Sequence, residues 1–222
     1  MATPPLPIVV LISGKGSNMR VLAEQAEGGA LGARIRAVIS NRTDAAGLGI
    51  AGALGIPTAS LRPQDFADRD SFDQALAELV ERYQPQLLVL AGYMRILNAG
   101  FIERFAGRIL NIHPSLLPKY RGLHTHRRAL AAGDSLHGAS VHYVTEELDG
   151  GPVVIQGPVP VLRDDTEASL AARVQRAEHR IYPHAVRLIA AGRLRLQGGQ
   201  PWLDGRPLET PLILNPELDS SS

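Results

Sequence analysis

At 222 residues, 45% of them hydrophobic, the chain is long enough for one α/β domain with a full core and short for two. Its net charge is +1 with the basic residues dispersed, which argues against a nucleic-acid footprint and for a small ligand. The absence of cysteine removes thiol nucleophiles, thiolate zinc sites and disulfides; an opening without a signal-peptide pattern, and no apolar run of membrane-spanning length, lead us to expect a soluble cytoplasmic protein with no membrane partner.

Ile8 to Ile12 is a continuous β-branched run ending at Ser13-Gly14, read as a buried parallel strand that enters a glycine loop, with a helix from about Asn18. The alternation repeats: strand Ile35 to Ser40, helix Thr43 to Leu54, an extended piece around Pro57 to Leu61, helix Ser71 to Tyr83, strand Leu87 to Ala91, helix Ala99 to Phe105, then a strand from Ile109. Strands alternating with helices imply right-handed βαβ units. Beyond Pro118 come a loop rich in Gly, His and Arg, a short helix through Arg127 to Ala132, and strands Ser140 to Thr145 and Val153 to Val161 around the turn Leu148-Asp149-Gly150-Gly151-Pro152. Asp165 or Thr166 can cap a long helix carrying Leu170, Val174, Ala177 and Ile181, which Pro183 is expected to kink or end. Arg193 to Leu196 and Trp202 to Arg206 suggest a hairpin; residues 1–215 then form one domain and 216–222 a disordered tail.

Two polar positions stand out on the Ile109 strand. Asn111 and His113 are two residues apart, so their side chains share a face, and Pro114 stops the strand there. That puts an amide and an imidazole at a strand's carboxyl edge, where open α/β sheets hold ligands. A histidine hydrogen-bonded at a strand end is the plain alternative; a catalytic one needs a third group to fix its tautomer, and Asp149 is the best candidate, although a turn aspartate before glycine explains it as well. Ser13-Gly14-Lys15-Gly16-Ser17-Asn18 fits either a structural turn or a phosphate cradle at a helix N-terminus; it is neither a dinucleotide fingerprint nor a P-loop. Gln175 and Glu178, at i and i+3, share a helix face that either meets a ligand or is solvated. His124, His126, His137 and His142 do not follow a recognised ligand spacing, so no metal is expected and they read as surface or loop histidines.

Taken together, Ser13-Gly14-x-Gly16-Ser17-Asn18, Met94-Arg95-Ile96-Leu97, Asn111-x-His113-Pro-Ser-Leu-Leu-Pro, Gly122-Leu123-His124-Thr125-His126 and Glu147-Leu148-Asp149-Gly150-Gly151-Pro152 resemble, in order and nearly end to end, the phosphoribosylglycinamide formyltransferase family of purine biosynthesis. The resemblance implies a single Rossmann-like formyltransferase domain with a mostly parallel central sheet and helices on both faces. Its N-terminal half would bind the phosphate of glycinamide ribonucleotide at Gly16, Ser17 and Asn18, with Gln175 and Glu178 on the same substrate. Its C-terminal half would complete the site for 10-formyltetrahydrofolate, the formyl donor, held by Arg69, Met94, Arg95, Ile96, Leu97 and Asn111 and by Thr145, Glu146, Glu147, Leu148 and Asp149. Asn111, His113 and Asp149 fall on the family's catalytic trio, as oxyanion donor, proton shuttle and the carboxylate that orients the shuttle. A monomer or a homodimer is equally compatible.

Lys15 and Arg121 depart from the family pattern, in the glycine loop and after Lys119-Tyr120 respectively, and neither touches the trio. The Asn-x-His and Ser-Leu-Leu-Pro elements also resemble methionyl-tRNA formyltransferase and formyltetrahydrofolate deformylase, which use the same donor. Each would bring an additional domain for which this length has no room. A folate- or nucleotide-binding module without turnover is the rival of another class, and substrate-dependent release of tetrahydrofolate separates it from an enzyme.

Overall fold

Strand β1 (Leu6–Ile12) divides the interior in two, in a computed structural model that describes residues 4–214. Ile8, Val10 and Ile12 point into one apolar cluster while Val9 and Leu11 point into another. A strand covered on both faces must be apolar at every position, which is why this run lacks the alternation of a half-exposed strand. The tail expected from residue 216 lies outside the described residues.

The other elements follow as α1 (Ser17–Glu27), β2 (Ala33–Ser40), α2 (Ala46–Ala53), β3 (Thr58–Ser60), α3 (Arg69–Glu81), β4 (Leu87–Leu90), α4 (Ala99–Arg104), β5 (Ile109–His113), α5 (Thr125–Ala132), β6 (Leu136–Tyr143), β7 (Val153–Pro160), α6 (Glu167–Ala190), β8 (Leu194–Gln197), β9 (Gln200–Leu203), β10 (Arg206–Pro207) and β11 (Leu212–Ile213). The main sheet runs in the order β11-β7-β6-β5-β4-β1-β2-β3, with β8 to β10 forming a separate small sheet. Strand β6 is antiparallel to both β5 and β7, and the remaining neighbours are parallel. Residues of α1, α2 and α6 belong to one cluster and those of α3 and α4 to the other, giving the expected mostly parallel α/β sheet with helices on both faces.

Several boundaries differ from the sequence reading, each for a local reason. Helix α3 begins at Arg69 because Asp68 and Ser71 form a reciprocal capping box, which starts the helix two residues before the expected Ser71. Helix α2 starts at Ala46, after Arg42 and Asp44 have closed a bidentate pair in the preceding turn. Strand β6 starts at Leu136, ahead of the expected Ser140, since Gly138 is not a breaker: a Cβ there would sit 2.2 Å from the Gly157 carbonyl oxygen, so glycine is what allows β6 to lie against β7.

Pro183 neither ends α6 nor marks a boundary; the helix runs on to Ala190. A proline inside a helix costs roughly 3 kcal/mol. Here Ile181 and Tyr182 before it, and Ala185 and Val186 after it, are all buried in the core, and that packing outweighs one lost backbone bond.

Candidate active site

The carboxyl ends of β1, β4 and β5 are neighbours in the sheet. Asn111 and His113 stand at the end of β5, where the shared face predicted from their spacing is realised. Both contribute to a cavity of about 270 Å³. One wall is Tyr93 to Leu97, which follows β4, and the other is Val144 to Asp149, which follows β6. Met94 and Leu123, each 70% exposed, give the mouth an apolar lip.

His113 is 6% exposed, and each of its ring nitrogens faces an oxygen: Nε2 the Tyr120 carbonyl at 2.9 Å, Nδ1 the Asp149 Oδ2 at 3.4 Å. A doubly protonated ring therefore finds an acceptor on both sides. The Nδ1 contact is longer than the roughly 2.8 Å of a charge-assisted hydrogen bond. Asp149 is aimed by its own backbone. It has a positive φ of 49°, which aspartate tolerates better than most residues, and its Oδ2 accepts the Gly122 N–H at 2.8 Å. The turn behind it requires glycine, because a Cβ on Gly151 would lie 1.9 Å from the Tyr143 carbonyl oxygen.

One buried histidine beside the candidate site escaped the sequence reading. His142 is not a surface or loop residue but 2% exposed on β6, directly across the ladder from Asn111. Its Nδ1 lies 2.9 Å from the Tyr143 carbonyl, so Nδ1 carries the proton and donates. Its Nε2 is then an acceptor, and Asn111 Nδ2 donates to it at 3.1 Å. Burial pushes the His142 pKa down, which keeps the ring in that neutral form. One Asn111 N–H is thereby spoken for and the amide's orientation is fixed, leaving a second N–H to donate. The signal was present in the predicted strand through Ser140 to Thr145, but its pairing register with β5 was not. His137 is likewise buried, at 1%, and meets His126 at 3.1 Å, so the four histidines do not converge. Burial, then the neighbouring His126, lowers the His137 pKa to about 4.

The glycine loop sits beyond β4 at the end of β1, about 10 Å along the sheet from β5 by strand spacing. Gly16 has φ 72° and a Cβ there would meet Gly47 Cα at 2.8 Å, so the loop packs on the start of α2 glycine against glycine. No side chain caps α1, which leaves its first N–H groups pointing out of the helix end. Gln175 and Glu178 are not merely solvated: Gln175 Nε2 donates to Ser17 Oγ at 3.1 Å, and Asn18 Nδ2 donates to Glu178 Oε2 at 2.8 Å. The two segments predicted to share one substrate are thus in contact.

Of the predicted donor contacts, Met94, Arg95, Ile96, Leu97, Asn111 and Thr145 to Asp149 all line the cavity. Arg69 does not. It stands behind the wall, its Nη2 donating to the Ile96 carbonyl at 2.7 Å. Arg121 reaches across the mouth to pair with Glu147.

A family profile described as formyl transferase matches residues 6–186. The phosphoribosylglycinamide formyltransferase of Escherichia coli is 50% identical, over 90% of this chain and 95% of its own. That of Haemophilus influenzae is 45% identical over the same shares. The structure of the phosphoribosylglycinamide formyltransferase of Coxiella burnetii superposes with a TM-score of 0.91 at 48% identity, covering 95% of this chain and 99% of that one.

Proposed function

This chain belongs to the formyl transferase family and, within it, to the phosphoribosylglycinamide formyltransferases, and on that premise we propose that it moves a formyl group from 10-formyltetrahydrofolate directly to the amine of glycinamide ribonucleotide in purine biosynthesis. The observation that carries the reading is the convergence of Asn111, His113 and Asp149 on one corner of an apolar cavity. The glycine loop and its α6 partners lie a nucleotide's length away along the same sheet edge, which supports a phosphorylated acceptor over a larger one.

The chemistry follows from those positions. The neutral amine attacks the formyl carbon; the new C–N bond forms as the carbonyl electron pair moves onto oxygen. The Asn111 N–H not engaged by His142 donates to that oxyanion, an interaction of the kind worth about 10²–10³ in rate. His113 carries the proton from the attacking nitrogen to the departing N10 of the folate, directly or through a water, and Asp149 stabilises the imidazolium that forms in between. Collapse of the tetrahedral intermediate breaks the C–N10 bond and releases tetrahydrofolate, with no covalent enzyme intermediate.

Steady-state kinetics of His113→Asn and Asp149→Asn test these roles. We expect each to lower kcat by roughly 100-fold or more while the nucleotide KM stays within a few fold, the pattern of an interaction made only in the transition state. A near-normal kcat in either variant removes that residue from the mechanism.

A further inference from the structure

Residues 93–97 form one wall of the cavity, yet they belong to no strand or helix and make no backbone–backbone hydrogen bond with any described residue. Side chains from elsewhere fix them. At one end Ser13 Oγ accepts the Met94 N–H at 2.8 Å. At the other, the first turns of α3 supply three bonds: Arg69 Nη2 donates to the Ile96 carbonyl, Asp73 Oδ2 accepts the Asn98 N–H and Asp70 Oδ1 accepts from Asn98 Nδ2, each at 2.7 Å.

Asp73 is the member of this set that is out of water, its side chain 0% exposed. A buried carboxylate is costly unless its oxygens are matched. Arg69 Nε lies 3.8 Å from Oδ2, and burial, the largest influence, raises the Asp73 pKa against the opposing pull of the Asn98 amide and the Arg69 and Arg95 guanidiniums. Asp73 Oδ1 has no protein partner, and neither do Tyr93 Oη or Arg95 Nε, two buried atoms of the same wall; the Arg95 guanidinium favours the Asp73 carboxylate, while that carboxylate disfavours ionisation of Tyr93. Phe72, the preceding residue, packs its ring 4.5 Å beneath the Arg95 guanidinium. Residues 69, 72 and 73 share one face of α3, and that face is applied to the wall.

We propose that Asp73 is a positioning residue for the formyl donor: through the Asn98 N–H and Arg69 its carboxylate sets the Met94–Leu97 wall at the height the donor's ring system requires. The proposal rests on the reading of that wall as the donor site. None of the Asp73 partners lies on β5 or on the glycine loop, so its loss acts on donor binding rather than on the trio or the nucleotide.

Two measurements on the full-length chain test it: kinetics of Asp73→Ala and Asp73→Asn with each substrate varied in turn, and amide hydrogen exchange of the ligand-free proteins. For Asp73→Ala we expect the donor KM to rise about tenfold or more, the equivalent of one hydrogen bond to a charged group. kcat and the nucleotide KM should stay within about threefold of wild type. Asp73→Asn, whose carboxamide oxygen can still accept the Asn98 N–H, should recover most of the donor KM. Exchange should quicken in Asp73→Ala over residues 93–98 and not in β4 or β5.

An unchanged donor KM and unchanged exchange in Asp73→Ala overturn the proposal, as does a uniform loss of kcat and of both affinities with faster exchange throughout. If the wild type does not turn over these substrates, the functional reading has failed on its own; the exchange result then decides the brace, local loosening supporting it and an unaltered 93–98 segment refuting it.

Discussion

Asn111 owes its aim to a residue 31 positions away in sequence. Had His142 Nε2 carried a proton, two donors would have met, and the Asn111 amide would have turned its oxygen toward the ring. The neutral tautomer, set by the Tyr143 carbonyl and preserved by burial, therefore decides what Asn111 can offer a substrate. Replacing His142 with Leu, which fills much of the space but accepts no hydrogen bond, should lower kcat by about tenfold or more with little change in either KM, as expected for a misoriented transition-state donor. Unchanged kcat in a folded His142→Leu protein would show that Asn111 is held by its backbone alone. The shared face of Asn111 and His113 was legible because i, i+2 spacing needs only strand periodicity, whereas Asp149 was a candidate third group that the family resemblance, not the spacing, joined to them. His142 was not legible, because a cross-strand partner is defined by pairing register, which no local pattern within β5 or β6 encodes.

At the level of elements, α6 does two jobs. Its N-terminal half presents Gln175 and Glu178 to the glycine loop, while Tyr182 lies beneath the sheet with its hydroxyl 2.9 Å from the carbonyls of both Leu90 and Leu110. Those carbonyls belong to β4 and to the residue before Asn111 in β5, so one buried hydroxyl ties β5 to its neighbour. Tyr182→Phe should destabilise the protein by about 1–2 kcal/mol, the cost of a buried hydrogen bond removed on one side. A urea titration checks this as a lower midpoint at constant slope; an unchanged midpoint would mean that the two carbonyls are satisfied without it. The helix pattern was readable from Leu170, Val174, Ala177 and Ile181, whereas its continuation past Pro183 was not. Local propensity argued for a break, and only the burial of residues on both sides of the proline overrides it.

Across the whole molecule, the strand order brings distant motifs to one edge. The glycine loop after β1, the side-chain-braced wall after β4 and Asn111 and His113 at the end of β5 come from separated segments yet open on one edge of a mostly parallel sheet, and the Asp149 turn, which leaves β6 antiparallel to β5, folds back to meet them. Alternating strands and helices made the parallel part of that architecture predictable, since βαβ connections place the carboxyl ends of β1, β4 and β5 on one edge, whereas the antiparallel course of β6 was not. The walls around the site were less readable: their conformation depends on contacts such as Asp73 with Asn98 and Asp149 with Gly122, which no local pattern encodes. The separation of the glycine loop from β5, about 10 Å, is compatible with the proposed acceptor, whose phosphate the loop would hold while its amine meets β5. The most direct measurement is tetrahydrofolate release by the purified chain from 10-formyltetrahydrofolate, with and without glycinamide ribonucleotide. The account predicts turnover that requires the nucleotide and yields its formylated product; donor breakdown without the nucleotide, or no turnover by folded protein that binds both ligands, would contradict it.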